Sequence, residues 1–303
     1  MAHFAVVGNF DAEFELLEPE TVRSPRRRAL CRKLCESLRE ELREDGFDAI
    51  VLEPESGAAS GSELRGLRGL CWMPTPKGLA VARAARLSVG EAPPVDVLRR
   101  ANGRDLAHRL SAELDKEFVT EFCASFDHAL AVVRELLACG PVLCKRMLGF
   151  SGRMRKELNE GFVSETEEAW IRGSFDGLAP GLVVEPLCDV DAEWSCHGVL
   201  TAEGELIRRG VVAFDTGSRG AFAAARADQQ VSSEIVEQLE VAQCEVADGL
   251  REVGYFGPFA FDAFAYRVSS GGPRLRRLSD LNARLTRTTF APNLLRFDPE
   301  LLS

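Results

Sequence analysis

The sequence predicts a protein that is partly α/β and partly α+β, with a small amino-terminal α/β lobe followed by two α+β lobes. Three observations predict it. Strand-like and helix-like stretches alternate through the first 90 residues, the order of a parallel sheet with covering helices. Beyond residue 95 short helices and strands are mixed, and the last third is rich in strands around one long helix. The chain has 303 residues, 46% hydrophobic and 28% charged, enough for a large core shared among lobes and ordinary for a soluble globular protein.

The first predicted strand is HFAVVGNF, residues 3–10. SPRRRALCRKLCESLREELREDG then reads as a helix. Ser24 and Pro25 suit its first positions, apolar residues recur at three and four, and Gly46 lies just past its end. Strands FDAIVLEP (47–54) and LRGLCWMP (67–74) follow, then a helix from TPKGLAVARAAR. The turn GNFDAE lacks the glycine spacing of a dinucleotide fingerprint, which excludes a nicotinamide site there.

GEAPPVD (90–96) predicts a boundary, separating residues 1–92 from 93–303. One helix is expected around VLRRANGRDLAHRLSAEL, then a short strand EFVTEF and a helix around SFDHALAVVRELLACG. PVLCKRML reads as a buried strand leading into a Gly/Arg loop, GFSGRMRKEL. GLVVEPLCDV, EWSCHGVLT, ELIRRGVVAF and PFAFDAFAYRV read as strands, interrupted by the helix SSEIVEQLEVAQCEVADGLREVG. The later lobes are expected to be antiparallel.

The net charge of −10 argues against a nucleic-acid partner, which would require surplus cations, although a local basic pocket is compatible with it. No apolar run approaches the roughly 20 residues that cross a bilayer. The start, MAHFAVVGNFDAEFELLEPE, has no basic region and is not expected to be a signal peptide. The nine cysteines are odd in number, scattered and without a CxxC pair, and only four His are present. Buried, reduced thiols in a cytoplasmic protein are expected, rather than disulfides or zinc.

Three places carry chemistry. Lys145 sits in VLCKRML among apolar neighbours, and burying its ammonium requires an anion opposite. The following Gly149 to Arg153 stretch can turn backbone N–H groups towards a phosphate, although an outward-reaching lysine and a plain turn would look alike. In GLVVEPLCDVDAEWS, Glu185 ends an apolar strand before Pro186, and Glu193 follows an acidic turn; either also fits a solvated strand end. Asp262 lies among phenylalanines in PFAFDAFAY, where a carboxylate is costly unless compensated.

The SSGG that separates PFAFDAFAY from LSDLNARLT is a hairpin signal, so pairing would bring Asp262 near Asp280 and Asn282. In an extended segment Asp280, Asn282 and Arg284 share one face, with Leu281, Ala283 and Leu285 on the other. Two carboxylates and an amide oxygen suit Mg2+, which keeps waters and completes its shell with phosphate oxygens. Arg284 on that face can hold a phosphate or a developing oxyanion; an Asp280–Arg284 salt bridge is the plainer alternative.

Taken in order, VLCKR with its GFSGR loop, VVEPL, and GYFGPFAFDAF followed by LSDLNAR resemble the ATP-grasp superfamily over roughly residues 95–290. The resemblance implies ATP clasped between two lobes, 93–172 and 173–303, preceded by the smaller amino lobe. It implies that Lys145 contacts the phosphates and that Gly149, Ser151, Gly152 and Arg153 close over them. Glu185, Pro186 and Leu187 would line the adenine pocket, and Glu193 would reach the ribose or phosphate side. Asp262, Asp280 and Asn282 match metal ligands for one or two Mg2+ ions, with Mn2+ as a substitute, and Arg284 matches the residue that steadies the acyl phosphate. Where the family often has an Asp-Lys pair this chain has Gly103-Arg104, so Arg104 would bring the same charge with a different shape.

The expected activity is ATP-dependent, ADP-forming ligation of a small-molecule or peptide carboxylate to an amine or thiol. The alternatives are a kinase using the same clasp and a non-catalytic nucleotide- or peptide-binding module. Neither nucleic acid nor membrane is expected as a partner, and a homodimer is left open. His197 is expected to be a strand residue rather than a base.

Overall fold

In the computed structural model, residues 4–20, 22–54, 64–149, 152–159, 161–217, 220, 222–226, 228–267, 272–291 and 294 are described. Ser151, in the predicted phosphate loop, and residues 269–271 of the predicted hairpin turn lie outside them.

The first layer is a three-stranded parallel sheet in the order β2-β1-β3, built from β1 (Phe4–Val7), β2 (Ala49–Leu52) and β3 (Arg68–Cys71). Helix α2 (Pro25–Glu44) starts as expected, with Ser24 accepting from the Arg27 amide and Pro25 at its first turn. Cys31, Cys35, Leu38 and Leu42 recur at three and four, so one stripe of the helix packs on the sheet. Helix α3 (Pro76–Ala84) contributes Ala82 to a second small core that includes Ala5 and Val7. A short helix α1 (Ala12–Leu17), which the sequence reading left within the turn after β1, brings Glu13 and Glu15 inside.

The predicted single helix at 97–114 is two helices, α4 (Val95–Ala101) and α5 (Arg104–Leu114). Asn102 explains the break. Its side chain donates to the Leu98 carbonyl and accepts from the Ala283 amide at 3.0 Å, tying the junction to a distant segment. The next sheet is antiparallel, order β4-β7-β5-β6, from β4 (Glu121–Cys123), β5 (Val142–Arg146), β6 (Arg155–Leu158) and β7 (Leu182–Pro186). Residues 155–158, predicted as part of a Gly/Arg loop, are thus a strand. Helices α6 (Phe126–Leu137) and α7 (Glu165–Arg172) cover this sheet through Ala129, Val133 and Ile171.

The last sheet is five-stranded and antiparallel, order β10-β9-β8-β11-β12. Its strands are β8 (Val190–Leu200), β9 (Leu206–Thr216), β10 (Phe222–Arg226), β11 (Gly257–Tyr266) and β12 (Arg274–Asn282). Helix α8 (Ser233–Glu252) packs Leu239, Val246 and Leu250 into the same core as Phe259 and Phe261. Full burial of each of these rings stabilises the layer by roughly 2–3 kcal/mol. After β12 the chain crosses to the first layer. The Leu285 amide donates to the Trp72 carbonyl at 3.0 Å, and Leu285 and Phe290 join the α2 core. The nine cysteines are unpaired, and among the described residues no helix is long and apolar enough to cross a membrane.

Candidate functional site

The hairpin of β11 and β12 sets the site. Asp262 is the cross-strand partner of Asp280 on one side and of Ser195 on β8 on the other. Between the pairs Asp262–Asp280 and Phe264–Arg276, β11 advances two residues and β12 four, so β12 bulges. Asp115, just past α5, holds the bulge by accepting from the Arg277 and Leu278 amides and the Arg277 side chain. The displaced Ser279 carbonyl accepts from Lys145 at 3.2 Å.

A cavity of about 350 Å3 lies between the two antiparallel sheets and reaches the first layer. Arg104, Lys145, Gly149, Gly152, Glu185, Pro186, Leu187, Glu193, Asp262, Asp280, Asn282 and Arg284 all line it. Arg153 does not. It is exposed, because the backbone turns left-handed at Gly152 and Met154, and Arg155 at the start of β6 faces the cavity instead. Gly149 has no room for a side chain, since a Cβ would come within 2.7 Å of the Arg153 carbonyl oxygen.

The anion opposite Lys145 is internal. Its Nζ lies 2.6 Å from Glu185 Oε1, and Arg276 Nη1 lies 2.9 Å from Glu185 Oε2. Arg276, which sequence reasoning missed, is buried and stacks over Phe118 at 3.8 Å. Burial pulls the Lys145 ammonium below its usual range against the attraction of Glu185. Burial would raise Glu185, but Arg276 and Lys145 outweigh it and hold the carboxyl below its ordinary value. One carboxylate thus serves two buried cations, leaving the trio with a net positive charge beside the cavity.

Arg104 grips Asp280 with both arms of its fork, Nη2 to Oδ2 at 2.8 Å and Nε to Oδ1 at 3.2 Å. Its Nη1 donates to the Arg146 carbonyl. The predicted alternative, an Asp280–Arg284 salt bridge, is therefore replaced on both sides. Arg284 instead donates from Nε to Glu13 Oε1 at 2.7 Å, in a pair almost wholly buried.

Asp262 differs from Asp280 because its donors are neutral, Ser195 Oγ at 3.0 Å and Asn282 Nδ2 at 3.3 Å. Burial, then the charge of Asp280, pushes its carboxyl up to about 7. That unmet negative charge is what a divalent cation would compensate. The donor set fits one: two carboxylates and Asn282, whose amide nitrogen faces Asp262 and leaves Oδ1 as an oxygen donor. No group of three or more His, Cys, Asp or Glu in metal-binding array occurs among the described residues. Glu193 is held by Thr216 Oγ1 and raised by burial. His197 is buried in β8 and meets Thr288 Oγ1 at 3.0 Å, a strand residue as expected.

No family model matches the sequence, and no curated protein matches it. The fold does have relatives. Carboxyaminoimidazole ribonucleotide synthase from Aspergillus clavatus, complexed with ATP, aligns over 99% of this chain and 79% of its own at TM-score 0.53 and 13% identity. The chain has the ATP-grasp fold. Biotin carboxylase from Campylobacter jejuni shares the ATP-grasp fold at TM-score 0.55 and 12% identity, over 99% of this chain and 70% of its own. D-Ala:D-Ser ligase from Enterococcus faecalis aligns at TM-score 0.51 and 14% identity, over 97% and 94%.

Proposed function

We propose that this ATP-grasp protein is an ATP-dependent ligase that joins a carboxylate to an amine or thiol through an acyl phosphate. The observation that carries the reading is one cavity wall. Buried cations from α5, β5 and the segment after β12 line it together with Asp262, Asp280 and Asn282, and the first of them, Arg104, pairs with Asp280. The neighbours of like fold include a synthase complexed with ATP and a D-Ala:D-Ser ligase, which supports the reading at the level of fold and leaves the substrate open. The division at residues 92 and 172 belongs to the same proposal, with Lys145 and β5 in the smaller clasping lobe.

In this reading Lys145, Arg104, Gly149 and Gly152 receive the triphosphate. Glu185, Pro186 and Leu187 lie at the adenine end, and Glu193 lies towards the ribose. A divalent cation held by Asp262, Asp280 and Asn282 would neutralise phosphate charge. A carboxylate oxygen attacks the γ-phosphorus as the bond to the ADP oxygen breaks. The nucleophile then attacks the acyl carbon, loses its proton, and phosphate departs. Arg284, fixed by Glu13, stands where charge develops in both steps, so the protein contributes position and electrostatics rather than covalent chemistry.

The test supplies Mg-ATP with pooled acids and amines. ADP and free phosphate that appear only when both reactants are present support ligation. ADP with a phosphorylated product indicates a kinase, and nucleotide binding without ADP from any mixture indicates a binding module.

A further inference from the structure

The cavity continues beyond the proposed metal wall towards the first layer, and its character changes there. Phe10, Leu34 and Trp72 come from β1's exit, α2 and β3's exit, with Phe222 of β10 also lining the cavity. The rings of Phe10 and Trp72 meet at 4.4 Å between centroids, tilted by 57°, and both border the cavity. Two guanidinium groups bracket it. Arg284 is 5.8 Å from the Trp72 ring centroid and Arg287 5.9 Å from that of Phe222. Arg284 donates through Nε and Nη1 to protein acceptors. Arg287 is fixed by Ser37, Glu41 and the Leu34 carbonyl, yet its buried Nε has no hydrogen-bond partner. An unsatisfied buried donor beside an apolar wall is costly unless a ligand supplies an acceptor.

Resting on the ligase reading above, we infer that this compartment receives the carboxylate substrate, and that the substrate is an acid with a flat apolar body. The acid's charge is drawn to the arginines while its body displaces water from Phe10, Leu34 and Trp72. A small hydrophilic acid would leave that surface wet and gain little. The sequence reading placed no residue of this compartment except Arg284.

Calorimetric titration of the full chain, saturated with Mg-ADP, tests this with 3-phenylpropanoate as the probe and succinate and 3-phenylpropanol as comparators. The aryl acid is expected to bind at least tenfold more tightly than either comparator. Arg287→Gln and, separately, Leu34→Glu are each expected to weaken it about tenfold while leaving Mg-ADP affinity unchanged. Equal binding of succinate and the aryl acid overturns the inference, as does an aryl acid that ignores both substitutions. Mg-ADP binding without aryl-acid binding overturns the inference and leaves the nucleotide reading standing. Failure of Mg-ADP itself to bind overturns both.

Discussion

Arg284 donates to Glu13 across 2.7 Å, and the two residues are 271 positions apart in the chain. Both are buried, Glu13 at 2% and Arg284 at 7% exposure. The pair joins α1, next to the first sheet, to the cavity wall after β12, so the arginine proposed to meet developing charge is held by the first lobe. Burial raises the Glu13 carboxyl in spite of Arg284 beside it, a sign of how much solvation the pair has given up.

Removing one partner of such a pair strands the other. Glu13→Ala is expected to lower stability by about 3–5 kcal/mol, measured by urea unfolding. Any turnover should fall with it, because Arg284 loses its fixed position. A variant with unchanged stability would show that the pair is not coupled to folding.

Asn282→Ala tests the proposed cation site most cleanly, since Asp280 is also tied to Arg104. Mg-ATP turnover is expected to fall on the order of a hundred- to thousandfold, about 3–4 kcal/mol of transition-state stabilisation, with circular dichroism unaltered. Full activity in this variant would remove Asn282 from the site.

Cation binding should depend on pH through Asp262, whose carboxyl is pushed up to about 7 by burial and then by Asp280. The cation requires the ionised form, so below that value a proton competes. Mn2+ affinity, followed by electron paramagnetic resonance, is expected to drop about tenfold per pH unit below roughly 7 and to level off above it. Asp262→Asn should bind weakly with no such slope.

His197 sets a stability trend. Burial, then the charge of Arg209, lowers its pKa to about 3, so the folded protein holds it neutral where the unfolded chain protonates near 6.5. The folded state therefore binds fewer protons between those values, and stability present above pH 6.5 is lost as pH falls. At pH 5 the loss from this group is about 2 kcal/mol. Comparing urea midpoints at pH 7.5 and pH 5, His197→Gln should lose less than wild type by about that amount.

Much of the wall around Asp280 was legible because its causes are local. Alternation along LSDLNAR places Asp280 and Asn282 on one face, and the pairing of β11 with β12 sets Asp280 opposite Asp262. The ATP-grasp pattern rests on the same stretch. The capping box of Ser164 and Glu167 that starts α7 is equally local. What escaped was set at long range. The break at Asn102 depends on the Ala283 backbone, and Glu13 becomes a site residue only through Arg284. Arg276, within the run LRR, has the look of a surface cation, and only its ion pair with Glu185, from a different sheet, brings it into the wall.

The interior beneath α2 is completed by Leu285 and Phe290, from the segment that follows β12. Phe4, Val6 and Phe10 thus share their cluster with residues far away in sequence, a contact of high loop-closure cost. Closing this layer is therefore a slow, long-range step, in which a parallel sheet is sealed by a distant stretch of backbone.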